Sequence, residues 1–343
     1  MFTVPTVDIA PYVDPNGSPE DRHRVAEELD NACSGVGFIQ IVGHGIDTAV
    51  VERLTAALDE FYALPLEVKK QYARPGENRG YSPPKSESLS MSLGVAAANQ
   101  MNDFYEAFTV GSERSWFPGH DLPETSYPDN TWPGAAPGFR PAVQEWFTAA
   151  RGLSRVLLTA FTDDLGLAPG YFDAMTDHSI DALKLNNYTL PEGDIELAGE
   201  LTGMGAHTDF GILTVLWADQ VPGLQVLDHD GCWHDVAPAD GALLVNLGDA
   251  MARWTNDRWR STIHRVDPPV VDGRILRRRS AAFFFDGNSD AVIETLPGCA
   301  RTDHPGYPPI TVAENIDAKL AGMKGGIAPV AADREARRVM AAS

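Results

Sequence analysis

A series of short β-prone segments in the second half of the chain constrains the fold more than any other sequence feature. Turns rich in Gly, Asp and Asn separate these segments, which cover residues 183–190, 212–217, 224–227, 242–247, 262–266 and 280–285. Many short strands joined by such turns are typical of a β-sandwich or a barrel. The sequence therefore predicts an all-β C-terminal half.

The first half of the chain carries helical patterns instead. Apolar residues recur at helical spacing over residues 48–62 and 140–165, and Ser18 followed by Pro19 is an N-cap signal for another helix. We expect a helical N-terminal region over residues 1–165, with a few strands that contribute to the core. A jelly-roll region over 166–320 and a C-terminal tail over 321–343, also helical, complete a single globule.

Charge and cysteine content limit the kinds of partner and compartment. The chain has 27 basic and 48 acidic residues, a formal charge of −21, which disfavours nucleic acid and anionic membranes as partners. Three widely spaced cysteines form no disulfide framework or zinc-ribbon pattern, and no apolar run of about 18 residues indicates a membrane span. We expect a cytoplasmic protein, and although the sequence does not fix the oligomeric state, a monomer is favoured.

His207 and Asp209 stand two residues apart, directly before an apolar β-prone run. In extended backbone alternate side chains share one face, so the imidazole and the carboxylate point the same way. His264 follows in another strand-like run, 264 − 209 = 55 positions later. Two histidines and one carboxylate form the ligand set of a non-haem Fe(II) site with open positions. His-X-Asp tripeptides are common, however, and the same three residues also suit a catalytic zinc ion.

A basic cluster leads into the last apolar segment. In a strand Arg278 and Ser280 share one face, whereas Arg279 points to the other. A guanidinium group binds a carboxylate through two parallel hydrogen bonds, and the hydroxyl adds another. The cluster also suits a solvated surface, but a charged group on the inner face of an apolar strand needs a partner. An anion anchor beside a metal favours 2-oxoglutarate, which chelates Fe(II) at one end and is held at the other.

Further motifs are spread along the chain. They include Gly37-Phe-Ile-Gln-Ile-Val-Gly-His-Gly-Ile46, Pro222-Gly-Leu-Gln-Val226, Asn246-Leu-Gly-Asp249 and Ser261-Thr-Ile-His-Arg-Val266. Together with the His-X-Asp and Arg-X-Ser pairs, they resemble the isopenicillin N synthase-like family of Fe(II)/2-oxoglutarate dioxygenases. The resemblance covers most of the chain. It implies a mainly β fold with flanking α-helices and a double-stranded β-helix (jelly roll) core.

The resemblance also implies roles for individual residues. The residues implied to bind iron are His207, Asp209 and His264. Those implied to bind 2-oxoglutarate are Arg278, Ser280 and the Asn-X-Tyr pair Asn186 and Tyr188. The distance of 278 − 264 = 14 positions is longer than usual for the family, which leaves Arg277 and Arg279 as alternative anchors.

The implied reaction is oxidation of an unactivated C–H bond in a small or medium organic metabolite, such as a product of specialised metabolism. It uses Fe(II), 2-oxoglutarate and O₂, releases succinate and CO₂, and leads to hydroxylation, desaturation or cyclisation. Two alternatives stay open: an isopenicillin N synthase-like oxidase without 2-oxoglutarate, and a non-catalytic metal- or ligand-binding sensor. Candidate substrate contacts, from strand parity or analogy of position, are Val266, Phe284, Leu216, Tyr81, Met101, Asp103 and Tyr105.

Overall fold

Two β-sheets that pack against each other form the centre of the structure. The computed structural model describes residues 2–84, 86, 105–189, 203–268, 270–271, 274–302 and 306–325. The large sheet contains eight strands, in the spatial order β1 (Thr6–Asp8), β2 (Phe38–Val42), β10 (Leu243–Leu247), β7 (Leu213–Ala218), β14 (Arg278–Phe285), β5 (Ala182–Tyr188), β4 (Tyr105–Gly111) and β3 (Gly80–Ser82). The small sheet contains four, in the order β6 (Met204–His207), β11 (His264–Val266), β8 (Leu224–Leu227) and β9 (Trp233–Asp235).

Two two-stranded sheets and the helices complete the described chain. Each two-stranded sheet is an antiparallel pair of strands, β12 (Val270–Val271) with β13 (Arg274–Ile275) and β15 (Val292–Ile293) with β16 (Ile310–Thr311). The helices are α1 (Ala10–Val13), α2 (Pro19–Gly35), α3 (Thr48–Tyr62), α4 (Leu66–Lys69), α5 (Phe139–Asp164), α6 (Asp173–Thr176), α7 (Asp249–Trp254) and α8 (Val312–Gly325). No helix in the described ranges is long and apolar enough to cross a membrane.

Helices α2, α3 and α5 cover the outer face of the large sheet. The helical spacing of residues 48–62 and 140–165 agrees with α3 and α5 to within one residue at each end. Ser18 caps α2 as expected, because its hydroxyl accepts the backbone N–H of Asp21 at 3.1 Å. The rings of Phe147 on α5 and Phe283 on β14 meet edge to face at 4.9 Å. The main hydrophobic core therefore lies between these helices and the large sheet.

The inner face of the large sheet is directed at the small sheet. On β14 the buried residues Ala281, Phe283 and Phe285 join the core under the helices. The alternate residues on the strand point the opposite way, toward the gap between the two sheets. A cavity lined by residues of both sheets lies in this gap.

The first part of the chain contributes directly to this arrangement. Strands β1 to β4 belong to the same sheet as β5, β7, β10 and β14, so both halves of the chain build one wall of the cavity. The boundary at residues 165 and 166 stays a prediction. Residues 326–343 of the expected helical tail lie outside the described part of the chain, as do Met101 and Asp103.

Candidate active site

Three donor atoms from two segments of the chain converge between the sheets. His207 ends β6 and His264 begins β11, and the two residues face each other in antiparallel register with ring centroids 4.2 Å apart. Asp209 Oδ1 lies 3.8 Å from Nε2 of each imidazole. All three side chains are buried, and their donor atoms lie within 4.8 Å of one another. These separations fit one ion bound about 2 Å from each donor.

Hydrogen bonds to backbone carbonyl groups orient both imidazoles. His207 Nδ1 lies 2.8 Å from the Gly205 carbonyl oxygen, and His264 Nδ1 lies 3.1 Å from that of Thr262. A carbonyl oxygen only accepts, so each Nδ1 carries the proton and each Nε2 offers its lone pair to a metal. Burial, together with the neighbouring His264, lowers the pKa of His207 to about 3. His207 is therefore neutral at neutral pH, as a metal ligand must be.

Two side chains hold the carboxylate of Asp209. Thr214 Oγ1 and Asn246 Nδ2 donate hydrogen bonds to Oδ2, at 2.5 and 2.6 Å. Burial tends to raise the pKa of Asp209, but both imidazoles and these two hydrogen bonds outweigh it and hold the pKa below its usual value. The ionised carboxylate thus keeps Oδ1 directed at the imidazoles. The sequence singled out Asn246 within a family motif without giving it this role.

The large sheet presents the other expected residues to the same cavity. In the pairing of β14 with β5, Arg278 lies opposite Tyr188 and Ser280 opposite Asn186. All four line the cavity that also contains the two histidines and the aspartate. Asn186 Nδ2 donates a hydrogen bond to Ser280 Oγ at 3.3 Å. The structure therefore brings the expected iron and 2-oxoglutarate residues into one space.

Arg278 is the residue of this wall whose surroundings most strongly indicate a bound ligand. Its side chain is 2% exposed, and its Nε and Nη1 have no hydrogen-bond partner among the described residues. Its guanidinium carbon lies 5.2 Å from the centre of the Tyr188 ring. The buried Oδ1 of Asn186 also lacks a hydrogen-bond partner within the described ranges. A buried cation that has no anionic partner among the described residues is costly, so this wall fits a bound carboxylate.

The two alternative anchors face the other way. Arg277 Nη1 lies 2.6 Å from Asp59 Oδ1, and Arg279 Nη1 lies 2.9 Å from the same oxygen. Arg279 also approaches Asp219, with Nε 3.3 Å from Oδ2. Because both guanidinium groups pair with carboxylates outside the cavity, Arg278 is the one of the three that is left to bind an anion.

The expected substrate contacts divide into those on the cavity wall and those elsewhere. Val266, Leu216 and Phe284 line the cavity. Tyr81 does not: it lies opposite Phe108 on the helix-covered face of the large sheet, and its hydroxyl donates to Glu106 Oε2 at 2.6 Å. This placement corrects the expectation for Tyr81, because analogy of position does not reveal which face of the sheet a residue occupies.

Tyr105 lies on the inner face of the large sheet but does not line the cavity. It is opposite Tyr188 in the sheet and belongs to the small core between the sheets, but it is not among the described residues that line the cavity. Its hydroxyl accepts a hydrogen bond from Lys184 Nζ at 3.0 Å, and the ammonium lies 5.1 Å from its ring centre. Tyr105 therefore contacts the cavity-lining residue Lys184 and does not line the cavity itself.

Sequence reasoning missed several lining residues. Lys184 and Asp286 follow from parity, since Lys184 precedes Asn186 by two positions and Asp286 follows Phe284 by two. Burial, with the nearby carboxylates of Asp181 and Asp209, raises the pKa of Asp286 well above its usual value. Other missed lining residues are Asn78, Thr109, Phe210, Ile316 and Leu320.

Comparison with known proteins decides the family. Residues 4–135 match the model of the non-haem dioxygenase in morphine synthesis N-terminal region, and residues 180–287 match that of the 2OG-Fe(II) oxygenase superfamily. The 2-oxoglutarate-Fe(II) type oxidoreductase hxnY of Emericella nidulans is 34% identical, over 91% of this chain and 88% of its own length. The chain belongs to the Fe(II)/2-oxoglutarate dioxygenase family. A validamycin A dioxygenase of Streptomyces hygroscopicus subsp. limoneus is 30% identical, over 94% of this dioxygenase and 88% of its own chain.

Solved structures agree with this membership. A 2OG-Fe(II) oxygenase family protein from Caulobacter crescentus superposes with a TM-score of 0.79 at 30% identity, covering 93% of this dioxygenase and 99% of that chain. A full-length protein from Neurospora crassa, solved in complex with alpha-KG and thymine, gives 0.79 at 27% identity, covering 93% and 96%. These matches confirm the predicted family, the jelly-roll fold class and an oxidoreductase that uses Fe(II), 2-oxoglutarate and O₂. They also agree with the expected small-molecule substrate.

Proposed function

We propose that His207, Asp209 and His264 hold the iron of this dioxygenase. Their donor atoms converge, both imidazoles are oriented by backbone carbonyl groups, and the carboxylate is ionised. Two histidines and one carboxylate occupy one side of a metal ion and leave positions for a chelating 2-oxo acid and O₂. The zinc alternative has the same donor atoms, and the family membership favours iron over it.

We further propose that Arg278 and Ser280 bind the distal carboxylate of 2-oxoglutarate and that Asn186 and Tyr188 complete its site. The observation that carries this assignment is the buried Arg278 guanidinium, whose Nε and Nη1 have no hydrogen-bond partner among the described residues. It shares the cavity with the three proposed iron ligands. The relatives are named for 2-oxoglutarate-dependent oxidation, which favours this reading over an oxidase without 2-oxoglutarate and over a sensor.

When bound, iron and 2-oxoglutarate supply the oxidising power: O₂ is reduced, 2-oxoglutarate becomes succinate and CO₂, and a substrate C–H bond is oxidised. The protein positions both molecules and keeps water out. Hydroxylation is the proposed outcome, with desaturation or ring closure as variants. The apolar wall formed by Val266, Leu216 and Phe284, with Lys184 nearby as a cation, supports a small or medium organic metabolite as the substrate.

A binding experiment tests the proposed 2-oxoglutarate site without the primary substrate. Anaerobic titration of the Fe(II)-loaded protein with 2-oxoglutarate, followed by its charge-transfer absorption, gives the dissociation constant. Arg278→Met should weaken binding on the order of 10- to 100-fold, since a hydrogen-bonded charge pair is lost. Arg277→Met removes a neighbouring arginine that pairs with Asp59 and should leave the dissociation constant unchanged. Equal effects of both variants would contradict the assignment.

We also propose a cytoplasmic monomer. All three cysteines are free thiols, which suits a reducing compartment. Within the described residues, the large apolar side chains that are exposed come from four separate segments, at Val13, Leu66, Leu276 and Val292. So few exposed apolar side chains among the described residues favour a monomer over association through an apolar surface. Light scattering coupled to size-exclusion chromatography tests the monomer, and a mass near twice 37.1 kDa would contradict it.

A further inference from the structure

The helix α8 presents one face to the active site. Asn315, Ile316, Lys319 and Leu320 are spaced by three or four positions and so lie on the same side of the helix. Ile316 and Leu320 line the cavity, whereas Asn315 and Lys319 are buried polar residues. A lysine is almost never fully buried unless it has an anionic partner. The partner of Lys319 therefore indicates what this face of the helix does.

Lys319 is joined to the segment of the proposed iron ligands through a buried carboxylate. Its Nζ lies 3.0 Å from Oδ2 of Asp249, and both side chains are less than one-tenth exposed. The same Oδ2 accepts a hydrogen bond from Thr208 Oγ1 at 3.1 Å. Thr208 is the residue between His207 and Asp209. One carboxylate oxygen thus connects α8 to the middle of the His-X-Asp segment.

Two further hydrogen bonds attach the residues that follow Thr208 to α7 and α8. The backbone N–H of Asp249 donates to the carbonyl oxygen of Asp209 at 2.8 Å. Asn315 Nδ2 on α8 donates to the carbonyl oxygen of Phe210 at 3.0 Å. The segment that contains two of the three proposed ligands is therefore held by α8 and by the start of α7. None of these contacts involves an atom expected to bind the metal.

We propose that Lys319 is a positioning residue of the iron site. Its ammonium group fixes the Asp249 carboxylate, which in turn fixes Thr208 and with it the direction of the His207 and Asp209 side chains. Without Lys319, the Asp249 carboxylate stays buried without this cation and has to move. The proposal rests on the proposed assignment of the iron ligands. It gives α8 a role in metal binding in addition to its role in lining the cavity.

Metal titration tests the proposal without any substrate. Co(II), which reports on its own coordination by absorption, is titrated into the metal-free protein. Lys319→Met should weaken Co(II) binding about tenfold and change the spectrum, because residues that orient metal ligands typically contribute 10- to 100-fold to affinity. Lys69→Met is the matched control: Lys69 Nζ pairs with Glu106 at 2.6 Å, equally buried, on the helix-covered face of the sheet. It should lower the melting temperature and leave Co(II) affinity and spectrum unchanged.

A second variant tests the hydrogen bond from Thr208 to Asp249. Its result can be interpreted even if the Lys319→Met protein does not fold. Thr208→Val keeps the side-chain shape and removes only the hydroxyl, so it should weaken Co(II) binding in the same direction. The double variant should be no weaker than Lys319→Met alone, since both changes break one connection. Additive effects, or a Thr208→Val protein with wild-type affinity, would overturn the proposal. So would a Lys319→Met affinity within twofold of wild type.

A third variant separates this proposal from the assignment of the ligands. His207→Ala should abolish high-affinity Co(II) binding. If it does not, the ligand assignment itself fails. If His207→Ala abolishes binding but the Lys319→Met protein behaves like the Lys69→Met control, the ligand assignment is supported and the positioning role of Lys319 is wrong.

Discussion

His207 and His264 lie directly opposite each other in the antiparallel pair formed by β6 and β11, although 264 − 207 = 57 positions separate them along the chain. Antiparallel pairing of two strand ends is a rigid way to bring two imidazoles to one point, since the backbone hydrogen bonds fix the register. Asp209 joins them from the loop just after β6. This arrangement makes the geometry of the three proposed ligands a property of the sheet and of the residues that surround it.

Asn246 is expected to hold the Asp209 carboxylate, a proposed iron ligand, in place. Asn246→Leu removes the hydrogen bond to Asp209 Oδ2 and should weaken Fe(II) binding about tenfold. Anaerobic Fe(II) titration measures the change. Asn187→Leu is a suitable control, because Asn187 is equally buried but bonds Glu106 on the opposite face of the sheet. An Asn246→Leu protein with unchanged iron affinity would argue against this role.

The stability of the metal-free protein should depend on pH through His207. Its pKa is lowered from 6.5 to about 3, so below pH 6.5 the unfolded chain binds a proton that the folded protein does not. Stability therefore rises with pH across this window and falls as the pH drops from about 6.5 toward 3. The slope attributable to one proton approaches about 1.4 kcal/mol per pH unit.

Urea denaturation between about pH 5 and pH 7 measures this slope. The His207→Ala protein should show a shallower dependence than the wild type. His23→Ala removes an exposed histidine from α2 and should leave the slope unchanged. A His207→Ala slope equal to that of the wild type would show that His207 titrates normally in the folded protein.

Arg278 should reduce the stability of the ligand-free protein. Its guanidinium is buried with two nitrogens that lack a hydrogen-bond partner among the described residues, so Arg278→Met should raise the free energy of unfolding by about 1–3 kcal/mol. The same variant should lose the rise in melting temperature that 2-oxoglutarate and Mn(II) give the wild type. Thermal melts with and without both ligands test the pair of effects. A less stable variant that keeps the 2-oxoglutarate shift would refute the prediction.

Tyr81 is expected to stabilise the fold without contacting the active site. Tyr81→Phe removes the hydrogen bond to the Glu106 carboxylate and should lower the free energy of unfolding by about 1.5–3 kcal/mol. Succinate formation from 2-oxoglutarate should keep its wild-type rate and 2-oxoglutarate dependence. Denaturant unfolding and a succinate assay give the two quantities. A changed 2-oxoglutarate dependence at wild-type stability would place Tyr81 in the cavity after all.

Strand parity predicts which residues of β14 share one face of the sheet. It correctly grouped Arg278 with Ser280, and the register of β14 with β5 sets Asn186 opposite Ser280 on the same face. Parity works here because a strand alternates with a fixed period, whichever strands flank it. Tyr81 was placed only by analogy of position, so the face of the sheet on which it lies could not be known from the sequence.

The sequence by itself determined the type of chemistry: two histidines, a carboxylate and an arginine with a serine, together with the motifs spread along the chain, resemble the Fe(II)/2-oxoglutarate dioxygenases and imply their jelly-roll core. Only the tertiary structure decided which groups support them. The attachment of Asn246 to Asp209 and of Lys319 to Asp249 joins residues that are 37 and 70 positions apart (246 − 209 and 319 − 249). No local periodicity encodes such contacts, because they depend on how the sheets and α8 pack against one another.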